Sequence, residues 1–310
     1  MRRYLLGVDG GGTKTSAIVL DADPPRVAET ARVVGGPSNF QSAGAAAAEE
    51  SLRDVIHRVL FQAGIAADDV FAIGLGMAGV YRPGDRETVE AIVARIAGFP
   101  RVVVTNDAEA ALVGGVGRRY GVVLIAGTGA LAYGVNARGD SRRADGWGYI
   151  IGDEGSAYWI GANALRAVAR AHDGRGPATT LTETVLTKLG LNDAMFLVRR
   201  VYGEKFGVPK VAGLAQLVSR EASKGDQVAV AILNEAGQRL YDSVLAVISG
   251  LGMLEEEFPL VLTGGVVSSK GIVRAAVVSS VKDVAPQARA IDPEHDAAYG
   301  AALLAGARGE

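Results

Sequence analysis

The stretch Gly7–Thr15, GVDGGGTKT, lies between two short apolar segments, YLL before it and SAIVLD after it. Three consecutive glycines, with an acid before them and Thr-Lys-Thr after them, predict a loop that binds phosphate. Glycine lets backbone N–H groups converge on an anion, and threonine hydroxyls add further donors. Residues 4–9 and 15–21 have the composition of strands, so the loop is predicted to close a hairpin.

The segment that follows the glycines separates this loop from other nucleotide-binding loops. A Walker A loop needs lysine directly after its last glycine and then enters a helix. Gly7 and Gly12 have the right separation, but Thr13 stands at the lysine position and SAIVLD predicts a strand. A second loop, GTGALA at 127–132, fits the loose dinucleotide fingerprint. However, the sequence after it predicts a hairpin, not the helix N-terminus that a pyrophosphate needs.

Glycines in hairpin turns often have no ligand at all, and that alternative stays open for each loop taken alone. The chain carries three glycine loops, each at the end of an apolar strand, and two of them are enriched in threonine. This recurrence favours phosphate binding.

The composition limits the classes of function. The chain has 310 residues, a net charge of −2 and no basic block, which argues against nucleic acid as the main partner. It has no cysteine, so disulfides, thiolate zinc sites, iron–sulfur clusters and cysteine nucleophiles are excluded. No apolar run approaches the roughly 20 residues that span a bilayer. We therefore expect a cytoplasmic protein of two domains without a membrane partner. Its three histidines lie too far apart for a metal site: His57, His172 and His295.

The order of predicted elements repeats from Gly121, where strand, glycine turn and strand follow one another as they do at the start of the chain. This indicates a duplicated α/β plan. A long amphipathic helix is predicted from about Asp226 to Ser249. The closing segment DPEHDAAYGAALLAG predicts a helix with Asp292 as its cap and Pro293 in its first turn.

Six segments resemble the sugar kinases of the actin/hexokinase/Hsp70 ATPase superfamily in order and spacing: VDGGGTKT, NDAEAA, IAGTGALAYG, GWGYIIGDEGSAYWIG, LTGGV and DAAYGAALLA. More narrowly, they are similar to the N-acetylglucosamine kinase group of the BadF/BadG/BcrA/BcrD-type ATPases. The resemblance covers nearly the full chain and is weakest over 175–225. It implies an α/β fold of two ribonuclease-H-like (actin-like ATPase) domains with an interdomain active-site cleft. The domains would comprise 1–112 with 294–310, and 113–293.

The resemblance also implies ATP and Mg²⁺ as cofactors. An acid directly before a phosphate loop is repulsive without a metal, and Mg²⁺ keeps much of its water. Asp9 would therefore hold Mg²⁺ through water, and Lys14 would act as an electrostatic helper. The glycine loops would hold the phosphates and the adenosine: Gly11, Gly12 and Thr13 at the γ-phosphate; Gly127, Thr128 and Gly129 at the β- and γ-phosphates; Gly264 and Gly265 at the α-phosphate and adenosine.

By the same resemblance, Asp107 takes the proton from the attacking sugar hydroxyl. An aspartate before AEAALVGG would serve equally well as a helix cap, and a capping carboxylate is occupied by backbone N–H groups. Asn106 is the alternative cap that would release Asp107, and it is also assigned to the sugar site.

The remaining sugar-binding candidates are Asp153 for the sugar hydroxyls, with Glu154, Asn39, Gly146 and Trp147 around it. Asp153 has an alternative role as a helix cap, for which Ser156 competes. A lone tryptophan is more often part of a core than of a ligand site.

The resemblance implies ATP-dependent phosphorylation of an amino sugar at its 6-hydroxyl, with N-acetylglucosamine first and glucosamine or glucose as alternatives. The lack of cysteine separates the chain from family members that use an iron–sulfur cluster. The alternative from a different class is a sugar-independent regulatory ATPase that acts on a partner protein. For the sugar kinase, the resemblance implies a homodimer.

Overall fold

The computed structural model describes residues 4–22, 27–203, 206–268 and 270–307. Its strands are β1 (Tyr4–Gly10), β2 (Thr15–Asp21), β3 (Ala28–Gly35), β4 (Val70–Met77), β5 (Val102–Asn106), β6 (Gly121–Ala126), β7 (Ala130–Val135), β8 (Ser141–Asp145), β9 (Pro259–Thr263) and β10 (Arg289–Ile291). Its α-helices are α1 (Phe40–Ala43), α2 (Ala45–Ala63), α3 (Asp85–Ala94), α4 (Asp107–Val116), α5 (Ala157–His172), α6 (Leu181–Leu189), α7 (Leu197–Val201), α8 (Val208–Ala212), α9 (Ala215–Ser223), α10 (Gln227–Gly250), α11 (Ile272–Val284) and α12 (Ala297–Gly306). Two 3₁₀ turns lie at Ala67–Asp69 and Ala194–Phe196.

The chain divides into two compact units. Unit 1 comprises the described residues of Met1–Tyr120 and Pro293–Glu310, and unit 2 those of Gly121–Asp292. Each unit contains a mixed five-stranded sheet, in the order β3-β2-β1-β4-β5 and β10-β9-β6-β7-β8. In both sheets a strand that opens an antiparallel hairpin also pairs with a parallel strand, which confirms the predicted α/β class and its duplicated plan. The whole of α4 belongs to unit 1.

The sheet of unit 1 is covered on both faces. On one face α2 presents fully buried Leu52, Val55, Ile56 and Val59 to a core shared with the sheet, as its helical spacing predicts. The other face packs against α12, through a smaller cluster of Leu, Ile and Ala side chains. The strands β1, β2 and β4 therefore have nearly continuous apolar sequences, because neither of their faces meets water.

Helix α12 packs directly on β1 and β4 because glycines face it. A Cβ on Gly7 would lie 2.0 Å from the carbonyl oxygen of Ala298, and one on Gly74 would lie 1.8 Å from that of Ala301. Helix α4 meets α12 as closely, since a Cβ on Gly300 would lie 2.0 Å from the carbonyl oxygen of Ala110. Backbone contact of this kind leaves no room for a methyl group.

The predicted start of the closing helix is wrong. Asp296 caps α12, and its Oδ1 accepts a hydrogen bond from the Tyr299 N–H at 3.1 Å. Asp292 is instead paired with Arg274, 2.7 Å from Nη1 to Oδ1. The N–H groups of Glu294 and His295 donate to carbonyls at the end of α4, so this segment is held on α4 before the helix begins.

In unit 2, α10 begins after Asp226, whose side chain accepts from the Ala229 N–H at 2.9 Å. This confirms the predicted long helix. It packs against β6 and β7, and a Cβ on Gly134 would lie 2.7 Å from a methyl of Val247. Among the described helices, none is both long and apolar enough to cross a membrane.

Gly74→Ala should lower the free energy of unfolding by about 2–5 kcal/mol, because the added methyl group meets rigid backbone of α12 and cannot be relieved by a side-chain rotation. Urea denaturation measures the change. Gly98→Ala is the matched control, since a Cβ there has no atom within 4 Å. Equal stabilities of the two variants would contradict the proposed close packing.

Candidate active site

The tip of the β1–β2 hairpin is fixed at Gly11 by backbone hydrogen bonds and is otherwise exposed. The Gly11 N–H donates to the carbonyl of Lys14 at 3.0 Å, and the Gly11 carbonyl accepts from the N–H groups of Ser38 and Asn39 at 3.1 and 3.2 Å. A Cβ on Gly12 would have no atom within 4 Å, and the tip residues 12–14 are exposed. The tip can therefore receive a ligand without rearrangement of the strands.

Asn39 lies beside this tip, where its backbone N–H donates to the Gly11 carbonyl. Its side chain caps the short helix α1, with Oδ1 accepting from the Gln41 N–H at 3.0 Å. Gly79, which has a φ of +92°, lies against the same side chain. The structure thus brings Asn39 to the β1–β2 hairpin of unit 1, as a capping residue.

Asp107 opens α4 directly after β5, and Asn106 performs the capping. The Asn106 Oδ1 accepts from the Glu109 N–H at 2.7 Å, which confirms Asn106 as the helix cap. Oδ1 of Asp107 accepts from the Tyr81 hydroxyl at 2.9 Å and from the Ala108 N–H at 3.0 Å. The carboxyl group is half-buried, oriented by a phenol and not consumed by the cap.

Tyr81 is a site residue that the sequence did not reveal. It lies in the loop between β4 and α3, and no local pattern distinguishes it from a surface tyrosine. Its hydroxyl also lies 3.5 Å from the Asn106 Oδ1. The parallel pairing of β4 with β5 brings the ends of both strands to one edge, and this pairing is visible only in the fold.

Asp9 stands among acids. Burial, and then the charges of Asp107 and Asp296, raise the pKa of the Asp9 carboxyl to about 7, and Lys14 opposes this shift. An oxygen-rich, net negative cluster fits a divalent cation. Among the described residues no three His, Cys, Asp or Glu side chains are close enough to hold a metal by themselves. The donor set therefore suits Mg²⁺, which is usually held by one or two carboxylates, phosphate oxygens and water.

The β6–β7 hairpin of unit 2 has its own supports. The carbonyls of Gly127 and Thr128 accept from the first N–H groups of α5, at 2.9 and 3.3 Å. Gly264, with a φ of +96°, lies against the base of this hairpin, where a Cβ would be 2.4 Å from the Ala126 carbonyl oxygen. The Val266 N–H donates to that same carbonyl at 2.9 Å. The structure thus brings together two of the predicted nucleotide loops, 127–129 and 264–265.

The Asp145 carboxylate fixes the loop 146–152 by hydrogen bonds to backbone N–H groups. This role of Asp145 is not visible in the sequence. Its carboxylate accepts from the N–H groups of Gly146, Asp153 and Glu154 at 2.7, 2.8 and 2.9 Å. Asp145 and Asp153 are the non-glycine residues of the described chain with positive φ, at 63° and 55°. Such conformations persist where surrounding hydrogen bonds enforce them, and they concentrate at functional sites.

Asp153 lies against the β6–β7 hairpin. A Cβ on Gly129 would be 2.7 Å from its Oδ2, so only glycine admits the carboxylate here. Burial, together with the charge of Asp145, raises the pKa of Asp153, and hydrogen bonds from the Ala130 and Gly148 N–H groups oppose that rise. Ser156 caps α5 by accepting from the Trp159 N–H at 3.2 Å, so Asp153 is not the cap.

Of the other candidates of unit 2, Trp147 and Glu154 are exposed and Gly146 is half-buried. Trp147 is 70% exposed, in a loop where Ile150 and Ile151 are also exposed. Gly146 has a φ of +75°, and its carbonyl accepts a hydrogen bond from the Arg143 guanidinium. Glu154 lies in the same exposed stretch as Trp147. Trp147 therefore belongs to no core.

Comparisons with known proteins show the family of this chain. A family model, the BadF/BadG/BcrA/BcrD ATPase family, matches residues 6–305. The chain belongs to this family. An N-acetyl-D-glucosamine kinase of Dictyostelium discoideum is 38% identical over 98% of each chain. An N-acetylmuramic acid/N-acetylglucosamine kinase of Clostridium acetobutylicum is 34% identical, again over 98% of each chain.

Solved structures show the fold. A protein from Chromobacterium violaceum that carries a provisional N-acetylglucosamine kinase name matches with a TM-score of 0.80 at 30% identity, over 97% of this chain and 98% of that one. A ROK family glucokinase from Streptomyces griseus, solved with glucose and AMPPNP, matches with a TM-score of 0.57 at 21% identity, over 98% and 99% of the two chains. The fold is that of the actin-like kinases.

Without added divalent cation, the contribution of Asp9 to the stability of the protein should fall as the pH rises from 4 to 7. Asp9 keeps its proton to about pH 7 in the folded chain but loses it near 3.8 when unfolded, so its stabilising contribution is present below pH 4 and lost through pH 7. Asp9→Asn removes this contribution. The stability of the wild type relative to this variant should fall by up to about 1.4 kcal/mol per pH unit.

Urea denaturation of both proteins in a chelator, at several pH values, measures that difference. The comparison isolates Asp9 because every other titrating group is common to the two chains. Parallel stability curves would contradict the raised pKa.

Proposed function

We propose that this protein is an ATP-dependent sugar kinase that phosphorylates the 6-hydroxyl of an amino sugar, with N-acetylglucosamine as the first substrate. The observation that carries the proposal is the division of labour at the start of α4. Because Asn106 satisfies the helix cap, the Asp107 carboxylate is available as a base, and Tyr81 orients it. The two relatives named as N-acetylglucosamine kinases support the substrate class.

The proposed nucleotide groups are backbone and hydroxyl donors at glycine hairpins. In unit 1 they are Gly11, Gly12, Thr13 and Lys14, with Asp9 toward Mg²⁺. In unit 2 they are Gly127, Thr128 and Gly129 for the β- and γ-phosphates, and Gly264 and Gly265 for the α-phosphate and adenosine. A bound Mg²⁺ would supply charge neutralisation at the phosphates.

The proposed sugar groups stand near the same hairpins. Asn39 is tied by its N–H to the Gly11 carbonyl, and Asp153 contacts Gly129. Asn106, Gly146, Trp147 and Glu154 complete the proposed set. Asp145 would act indirectly, because its three backbone hydrogen bonds fix the position of Asp153 and the loop before it.

In the proposed reaction the oxygen of the sugar 6-hydroxyl bonds to the γ-phosphorus. The Asp107 carboxylate accepts the proton of that hydroxyl. The bond from that phosphorus to the β–γ bridging oxygen breaks, and ADP leaves. Such transfers depend mostly on positioning and charge stabilisation. Hydrogen-bond donors on rigid hairpins and one oriented carboxylate are therefore sufficient for the proposed phosphoryl transfer.

Asp107→Asn should lower kcat at least about 100-fold, because the amide cannot accept the proton. Affinity for a non-hydrolysable ATP analogue, measured by calorimetry, should stay within about twofold, since Asp107 belongs to the acceptor side. Tyr81→Phe removes only the orienting hydroxyl and should cause a smaller loss of kcat.

Asp283→Asn is the control, an exposed aspartate on α11 that changes the same charge away from the proposed site. It should leave kcat unchanged. Near-normal turnover by the Asp107 variant would refute its role as the base.

A coupled assay of ADP release tests the substrate, over N-acetylglucosamine, glucosamine, glucose, N-acetylmannosamine and N-acetylmuramic acid. We expect the highest kcat/KM with N-acetylglucosamine, one sugar phosphate for each ADP, and the phosphate on carbon 6 by ³¹P–¹H correlation. A preference for glucosamine or glucose would move the assignment within the same group of kinases. ADP release that is independent of every sugar would instead support a regulatory ATPase.

A further inference from the structure

Asp296 is an acid of unit 1 to which the sequence assigns no role. It precedes α12, and its Oδ1 accepts from the Tyr299 N–H at 3.1 Å, which any good cap residue would do. Its Oδ2 accepts from the Arg32 guanidinium. Asparagine or serine would cap the helix as well, so capping alone does not account for a carboxylate here.

The strand alternation directs Asp9 toward the start of α12. Gly7 and Asp9 are two residues apart on β1 and therefore face the same side of the sheet. Gly7 lies against the carbonyl of Ala298, two residues after Asp296. Asp9, one step further along the strand, is thus aimed at the capped end of the helix.

The neighbouring strands complete this arrangement. Asp9 pairs in register with Gly76 on β4, and a Cβ on Gly76 would lie 3.7 Å from the Cα of Asp107. On the other side Asp9 pairs with Ser16 on β2. Two acids, Asp107 and Asp296, therefore flank the strand end that carries Asp9, and the charge of each acts on it.

Arg32 links the two sides of this group. Its Nη1 donates to Asp296 and lies 3.4 Å from the hydroxyl of Ser16, the cross-strand partner of Asp9. Its Nε and Nη2 donate to Glu29 at 2.8 and 2.6 Å. The guanidinium is thus fixed by several partners and holds Asp296 on the side of the sheet that Asp9 faces.

We propose that Asp296 is a second carboxylate of the divalent-cation site, which binds the water shell of the cation together with Asp9, and that Arg32 is the residue that positions it. The cation is the one that accompanies the nucleotide, so the inference rests on the proposed function. Each carboxylate oxygen has two acceptor positions, so the hydrogen bonds to Tyr299 and Arg32 leave Asp296 able to accept from water. Gathering acids at one strand end is costly without a cation and favourable with one.

The test separates charge from capping at position 296. Asp296→Asn and Asp296→Ser keep a good cap and remove the charge, whereas Asp296→Glu keeps the charge and weakens the cap. Mn²⁺ is titrated into each protein bound to a non-hydrolysable ATP analogue without sugar, and free Mn²⁺ is read by electron paramagnetic resonance. Thermal unfolding in a chelator is measured in parallel.

We expect the two neutral variants to bind Mn²⁺ about three- to tenfold more weakly, as one charge removed at water-mediated distance implies, with little change in Tm. The Glu variant should bind within about twofold of the wild type with a lower Tm. Asp292→Asn, at an exposed aspartate paired with half-buried Arg274, is the charge-matched control and should bind normally.

Wild-type Mn²⁺ binding in both neutral variants would overturn the proposal. So would equal weakening in the Glu variant, because the cap would then account for the effect. Arg32→Gln should alter Mn²⁺ affinity only where Asp296 is present, and the same change in the Asp296→Asn background would refute the positioning role. Sugar phosphorylation by the wild type is scored separately, so a failed kinase assay and an unaffected metal site are distinct outcomes.

Discussion

The close approach of α12 to the sheet of unit 1 is the constraint on which the candidate site depends. Gly7 and Gly74 leave the strand surface bare, and α12 lies against it with its backbone. Because the helix is fixed at this depth, its first residues reach the level of Asp9. The same helix holds α4 through Gly300, and α4 begins with the proposed base. A layer of ordinary aliphatic side chains at these positions would lift both helices away from the sheet, since side-chain layers separate packed elements by several ångströms.

The two glycine hairpins are supported by hydrogen bonds to their carbonyls, and the donors come from different kinds of segment. In unit 1 the support comes from the segment after β3, where the N–H groups of Ser38 and Asn39 donate to Gly11. In unit 2 it comes from the first turn of α5, whose N–H groups donate to the hairpin carbonyls. In each case the hairpin carbonyls bind protein donors from behind. Backbone N–H groups on the opposite side of such a turn are then oriented toward an anion.

Much of this could be predicted from the sequence. The hairpins follow from glycine position and strand periodicity, and the capping roles of Asn106 and Ser156 follow from local competition between neighbours. What the sequence does not predict depends on contacts between distant segments. The predicted start of α12 is wrong because residues 294–295 bond to α4, which lies far away in sequence. The roles of Tyr81 and Asp145 are not visible in the sequence for the same reason. Their partners are set by strand pairing and loop closure, which no local pattern encodes.

The hydrogen bonds between Asp145 and the loop 146–152 bear on the fluorescence of the protein. The chain contains two tryptophans, and Trp147 belongs to this loop with its indole 70% exposed. Three backbone hydrogen bonds to one carboxylate keep the loop in a fixed conformation, so the indole meets water from a defined position. Replacing Trp159 with phenylalanine would leave Trp147, within the proposed sugar-binding loop, as the one tryptophan of the chain. The protein thus carries a built-in optical reporter of events at that loop, with no added label.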